Sequence, residues 1–131
     1  MKYMLLIYSN PETWGHPTFL RAAQAMTMSD AQRAELGREF EALLTEIVES
    51  GELIATHALA DPAIASTVRV RDGVPATTDG PFIEATEQFA GYFLVDCEGR
   101  ERALEIAARF PDARFGAVEV RPVMELSGHE M

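Results

Sequence analysis

Two stretches of this chain carry apolar side chains on both faces of an extended strand, and that pattern decides most of what it can become. In residues 2–8, Tyr3, Leu5 and Ile7 fall on one side and Met4, Leu6 and Tyr8 on the other. In residues 89–96, Tyr92 and Leu94 alternate with Phe93 and Val95. A strand with no wet face must be covered from both sides. A sheet centred on these strands needs one apolar layer above it and another below.

The remaining segments supply one of those layers. Ser29 to Ser50 reads as a helix, with Ser29 and Gln32 fitting a capping box. Leu36, Phe40, Leu43, Leu44, Ile47 and Val48 form its apolar stripe, and Gly51 stands where a left-handed cap falls. Gly99 to Phe110 reads as a second helix, stopped by Pro111, with Ala103, Ile106, Ala107 and Phe110 inward. Leu53 to His57 is a short strand, followed by a turn at Asp61-Pro62. Ser66 to Arg71 alternates valines with polar residues, and Asp72-Gly73 signals a hairpin whose return arm runs from Val74 toward Thr78. Gly116 to Met124 is the last strand.

Residues 10–27 are less regular. Asn10-Pro11 marks a turn, and Pro17 opens a short helix through Met26. Trp14, His16 and Phe19 make this segment a candidate lid over a pocket; a packed surface connection fits equally well. The segments form a single domain over residues 1–126, with 127–131 expected to fray.

Without the hairpin, the element order is βαββαβ, the ferredoxin-like plan of an α+β domain. Two helices cover one face of an antiparallel sheet, and no third helix remains for the other. A second copy of the chain is the simplest cover. The expected assembly is therefore a homodimer, pairing sheet to sheet as a dimeric α+β barrel through an isologous interface.

Charge narrows the partners. Twenty-one acids against eleven bases give a net charge of -10, the only lysine is Lys2, and the arginines are scattered. Nucleic acid and anionic membrane are poor matches for such a surface. The single cysteine, Cys97, lies in an apolar run and reads as a buried thiol in a reducing compartment. No apolar span reaches membrane length, and the apolar stretch after Lys2 is too short for a signal peptide, so the expected location is cytoplasmic.

The most distinctive run is Thr78-Asp79-Gly80-Pro81-Phe82-Ile83-Glu84-Ala85-Thr86-Glu87-Gln88. Gly80 allows backbone torsions closed to other residues, Pro81 fixes its own, and Phe82 can anchor the loop to the core. Asp79 then either caps the turn or points into a cavity. Glu84 and Glu87 would share a face on a helical turn but not on a strand. With Asp79 they make three carboxylates within one loop. Such a group can be a solvated surface, an acid/base or ligand-binding site, or a seat for a hard cation. His57, at a strand end, is either a structural residue or a titrating group at a pocket mouth. The candidate catalytic residues are His57, Asp79 and Glu84, and the candidate binding residues are Trp14, His16, Phe82, Glu87 and Tyr92. There is no HxH, HExxH or CxxC, no glycine-rich phosphate loop and no nucleophile elbow, so no metal and no cofactor is implied.

This run resembles the signature of YCII-related proteins with a DGPF motif, TDGPFAETKEQ. The likeness extends to Met1–Tyr8, to Val68–Gly73, to Gly91-Tyr92-Phe93 and to Val118–Val123, and covers most of the chain outside residues 10–27. The resemblance implies a dimeric α+β barrel, a superfamily that includes muconolactone isomerases and a dehydrochlorinase with His and Asp in its site. It also implies a frequent gene neighbourhood with extracytoplasmic-function sigma factors. Ala85 stands where the pattern has Thr and Thr86 where it has Lys, so a role for that lysine does not carry over. Two functions follow: a cofactor-free enzyme doing acid/base chemistry on a small organic molecule, or a non-enzymatic binding or regulatory module tied to a sigma-factor pathway.

Overall fold

A computed structural model describes residues 1–14 and 26–131. Strand β1 spans Lys2–Ser9 and a single 3-10 turn follows at Pro11–Thr13. Helix α1 runs Asp30–Glu49, opened by the expected capping box of Ser29 and Gln32. Strand β2 covers Leu53–Ala58, β3 covers Ser66–Arg71, β4 covers Val74–Asp79 and β5 covers Gln88–Asp96. Helix α2 spans Arg100–Ala108, a one-turn α3 spans Asp112–Phe115, and β6 covers Ala117–Pro122. The second helix thus ends before Phe110, as Pro111 requires, and the chain turns once more before the last strand.

Four strands form an antiparallel sheet in the order β2-β5-β1-β6. This is the ferredoxin-like arrangement of an α+β domain, with the two doubly apolar strands at its centre. The core lies between sheet and helices. Tyr3, Leu5 and Ile7 of β1 and Val95 of β5 are buried beneath Leu43 and Ile47 of α1 and Ala103 and Ile106 of α2. Phe110 stacks at 4.8 Å on Phe93, and Phe40 meets both rings nearly edge-on. Val48, expected in the stripe, is 59% exposed instead. One residue past Ile47, it is turned about 100° away from the buried row.

The two helices are also joined by charge. The Arg102 guanidinium of α2 reaches Glu52 before β2 at 2.8 Å, and Glu46 of α1 and Glu105 of α2, each at 2.9 Å. Arg109 donates to the same oxygen of Glu46, Oε2, at 2.8 Å.

Strands β3 and β4 form a separate two-stranded ribbon, turned at Asp72-Gly73 with positive φ at both residues. In the tail expected to fray, the last residue makes two backbone hydrogen bonds. The Met131 amide donates to the Val123 carbonyl at 2.7 Å, and the Lys2 amide donates to the Met131 carbonyl at 2.8 Å. His16, Phe19 and the expected helix from Pro17 lie outside the described residues, apart from its last residue, Met26.

Candidate functional site

The sheet face away from the helices is where polar chemistry collects on an apolar ground. Register places His57, Tyr92, Leu6 and Glu119 in one row across β2, β5, β1 and β6. The next row is Ala55, Leu94, Met4 and Arg121. Tyr8 and Phe89 pair on the same face, their rings 5.9 Å apart.

Gly91 sets the spacing at one end of the first row. Its φ is +158°, and a Cβ there would lie 2.7 Å from the His57 carbonyl oxygen. Only a residue without a side chain lets β2 come this close to β5. Beside it, His57 Nδ1 lies 2.7 Å from the Tyr92 hydroxyl. The direction of that hydrogen bond follows the imidazole's protonation: an unprotonated Nδ1 accepts from the phenol, while Nδ1–H, in the other neutral tautomer or in the imidazolium, donates to it. At the other end, the Tyr8 hydroxyl donates to Glu119 Oε1 at 3.1 Å, and Arg121 donates to Glu119 Oε2 at 2.5 Å. Burial, reinforced by Glu119, raises the Tyr8 phenol above its ordinary range. Hydrogen bonds from Arg121 and then Tyr8 hold the Glu119 carboxyl low.

On the helix side of this sheet end lies a small cavity of about 130 Å³, whose lining includes His57, Tyr92, Thr56, Phe40 and Asp112. It is smaller than the roughly 300–1,000 Å³ of ordinary ligand pockets. Asp112, only 9% exposed, is the buried carboxylate of the described core.

The three carboxylates of the distinctive loop do not join this site. Asp79 ends β4, opposite Ser66 and exposed. Its carboxylate makes no hydrogen bond among the described residues. The loop is fastened instead by backbone and by a threonine: the Gly80 amide donates to the Ala65 carbonyl at 2.7 Å, and Thr67 Oγ1 donates to the Gly80 carbonyl at 3.0 Å. Gly80 has φ +97°, the torsion its position demanded. Phe82 does not anchor the loop to the core. It is 66% exposed, with the Arg69 guanidinium 5.0 Å above its ring.

Residues 81–87 form neither helix nor strand, so Glu84 and Glu87 do not share a helical face. Glu84 lines a groove of about 380 Å³ with Glu12, Asp61, Pro81 and Gln88, while Glu87 is exposed. Trp14 packs against the core and donates from Nε1 to the Leu59 carbonyl at 3.2 Å, beside the end of β2.

Sequence reasoning singled out His57 and Tyr92, which the structure brings into contact, but not Tyr8, Glu119 and Arg121 of the same face or the buried Asp112. The signal for two of them was there. Val118 and Val120 alternate with Glu119 and Arg121, which assigns the charged pair to the face opposite the helices. Tyr8 was hidden because its apolar ring satisfied the strand pattern. Asp112 was hidden because Pro111-Asp112 reads as a helix stop.

The fold and this face define a ferredoxin-like α+β domain with one sheet face covered by its own helices and the other bearing a polar row. The chain belongs to the YCII-related domain family, whose model matches residues 1–127. It is also 35% identical over 88 residues to an uncharacterised protein of Rhizobium meliloti (strain 1021), an alignment covering 66% of this chain and 71% of that protein. Among the described residues, no helix is long and apolar enough to cross a membrane.

Proposed function

We propose that this chain is a cofactor-free enzyme that moves a proton on a small organic molecule at the open sheet face, with a second copy of the chain as the roof. The observation that carries this reading is the 2.7 Å contact between His57 Nδ1 and the Tyr92 hydroxyl. Imidazole is the side chain that changes charge between pH 5 and 8, and a phenol in hydrogen-bond reach can relay its proton or stabilise an oxyanion. Leu6, Met4 and Leu94 beside the pair supply the apolar floor that a small organic substrate needs. On this face alone the site is open to water. A paired sheet would close it, which is why the dimer is part of the functional reading.

A binding or regulatory module is the second reading, and one observation favours it. Asp79 and Glu84 lie on other parts of the chain, and no carboxylate is hydrogen-bonded to His57 among the described residues.

The deciding experiment needs no known substrate. A panel of small carbonyl compounds with acidic C–H bonds is incubated with the protein in D2O, and deuterium uptake is read by NMR. Proton-transfer chemistry predicts uptake that His57→Asn abolishes. Compounds that bind without uptake would establish the module instead, and a protein that neither binds nor exchanges any of them would sink the enzyme reading.

A further inference from the structure

The open sheet face carries polar groups at both ends. His57 and Tyr92 stand on β2 and β5. Tyr8, Glu119 and Arg121 form a second group on β1 and β6. Leu6, Met4 and Leu94 lie between the two.

The second group holds a guanidinium in place. Each oxygen of Glu119 has one donor, the Tyr8 hydroxyl on Oε1 at 3.1 Å and Arg121 Nη2 on Oε2 at 2.5 Å. Among the described residues, the Arg121 side chain makes no other hydrogen bond or ion pair. It is 67% exposed against 39% for Glu119, so the guanidinium stands further into solvent than the carboxylate that holds it. The guanidinium carries its N–H donors in a planar fork, and an edge of that fork not turned to Glu119 can take a second carboxylate with two parallel hydrogen bonds.

Register relates this fork to the proton-handling pair. Arg121 lies opposite Met4, and Met4 opposite Leu94, one row along from Tyr92. Two strand spacings and one two-residue step put the backbones of Tyr92 and Arg121 about 12 Å apart. Glu119 shares the row of His57, Tyr92 and Leu6, so its bond draws the guanidinium back toward that row. Side chains stand roughly perpendicular to a sheet, and one hydrogen bond of about 3 Å at each end leaves a span of about 4–6 Å. Lys2, the other cation that strand alternation puts on this face, is one row further off, opposite Asp96.

We infer that Arg121 determines the specificity of this face and selects a small organic acid. Its guanidinium takes the substrate's carboxylate while an acidic C–H of the same molecule, a few bonds away, lies at His57 and Tyr92. Glu119 and Tyr8 are positioning residues that act through Arg121. The inference rests on the proton-transfer reading above and adds the substrate's charge to it. A carboxylate fits better than a phosphate dianion, which would set twice the charge against Glu119. The rest of the chain, at a net charge of -10, repels anions, so a preference for acids has to come from this local cation.

The test compares levulinate with levulinamide, and other short keto acids with their amides, in the D2O exchange assay on the intact chain, each corrected for its uncatalysed rate. Wild type is expected to exchange the acid with kcat/KM at least tenfold above the amide, the difference lying in KM. In Arg121→Gln that ratio is expected to fall to one or below, again through KM. Arg121→Lys, which keeps the charge and loses the fork, is expected to fall between the two. A wild type that exchanges amides as well as acids overturns the role of Arg121 and leaves the proton-transfer reading standing, and this result needs no variant to fold. An Arg121→Gln ratio within twofold of wild type overturns it too. A wild type that exchanges neither member of any pair removes both proposals.

Discussion

His57 Nδ1 and the Tyr92 hydroxyl stand 2.7 Å apart on adjacent strands, across a register pair that Gly91 brings into close approach. The pair is exposed, so it adds little to stability. Tyr92→Phe is therefore expected to change the unfolding free energy by less than about 1 kcal/mol. Ligand binding or turnover is expected to fall at least tenfold, because the phenol's proton and its orientation of the imidazole are both lost. Thermal melting beside the deuterium-uptake assay measures the two effects. A variant as active as wild type would remove Tyr92 from the site.

Gly91 yields a sharper test of the same geometry. A Cβ at this position would sit 2.7 Å from the His57 carbonyl oxygen and 3.1 Å from the Ala58 Cα, both backbone atoms. Gly91→Ala must push β2 away from β5 or break their pairing. The expected cost is about 1–3 kcal/mol, from strain at a special backbone position. Denaturant unfolding reads it, and loss of the site's activity should accompany it. A stability change under about 0.5 kcal/mol would mean that β2 shifts freely.

The sheet pairing predicts a particle of twice the 14.4 kDa chain mass in light scattering at micromolar concentration. Obligate interfaces of this kind bury on the order of 2,000 Å² or more. Leu6→Lys puts a charge at the centre of the open face without touching the buried core residues of β1. It is expected to yield a folded monomer. A wild-type monomer, or a variant that still dimerises with wild-type affinity, would refute the pairing.

The loop after β4 separates structure from function differently from what its sequence suggested. Asp79→Ala is expected to cost less than about 0.5 kcal/mol, since its carboxylate fastens nothing among the described residues. Thr67→Val, which loses the hydroxyl bond to the Gly80 carbonyl, is expected to cost about 0.5–1.5 kcal/mol. Melting curves for the two variants should rank them in that order. The reverse order would restore Asp79 as the cap.

Acid should weaken the joint between the helices before it reaches the core. Hydrogen bonds from Arg109 and then Arg102 lower Glu46 from its ordinary 4.5 to about 2, and Arg102 lowers Glu52 as well. A carboxyl depressed in the folded state adds stability that is fully present above its unfolded value. That stability is lost as pH falls toward the folded one. The window for Glu46 is therefore about 4.5 down to about 2. Melting temperature should decline through that window in wild type and decline less in Glu46→Gln. Identical slopes would show that the pair is too exposed to count.

The fold was legible because each of its determinants is local or periodic. The capping box at Ser29, the stripe from Leu36 to Ile47 and the two-faced pattern of β1 and β5 could be read directly, and together they dictate the layers. The site was legible only in part. His57 and Tyr92 stood out by chemistry, yet their contact depends on a pairing between β2 and β5 that no local pattern encodes. Phe82 misled because an apolar side chain beside Gly80-Pro81 looks like an anchor. Its ring instead meets Arg69 from the ribbon, a contact set by tertiary placement. For Glu84 and Glu87 the sequence left both arrangements open, because spacing implies a shared face only where the backbone is helical.

The strand order β2-β5-β1-β6 has a kinetic meaning. β1 takes both its neighbours from the second half of the chain, with Lys2 opposite Asp96 and Tyr3 opposite Pro122, and β2 finds its neighbour only in β5. No two strands of the main sheet can zip together as neighbours in sequence. The closure entropy of long loops must be met before the sheet gives anything back. The first and second βαβ halves are interleaved, so neither can hold a sheet by itself. The ribbon is the exception, since β3 meets β4 across a two-residue turn. During synthesis the ribbon is therefore the first strand pair that can form, before any strand of the main sheet has its neighbour.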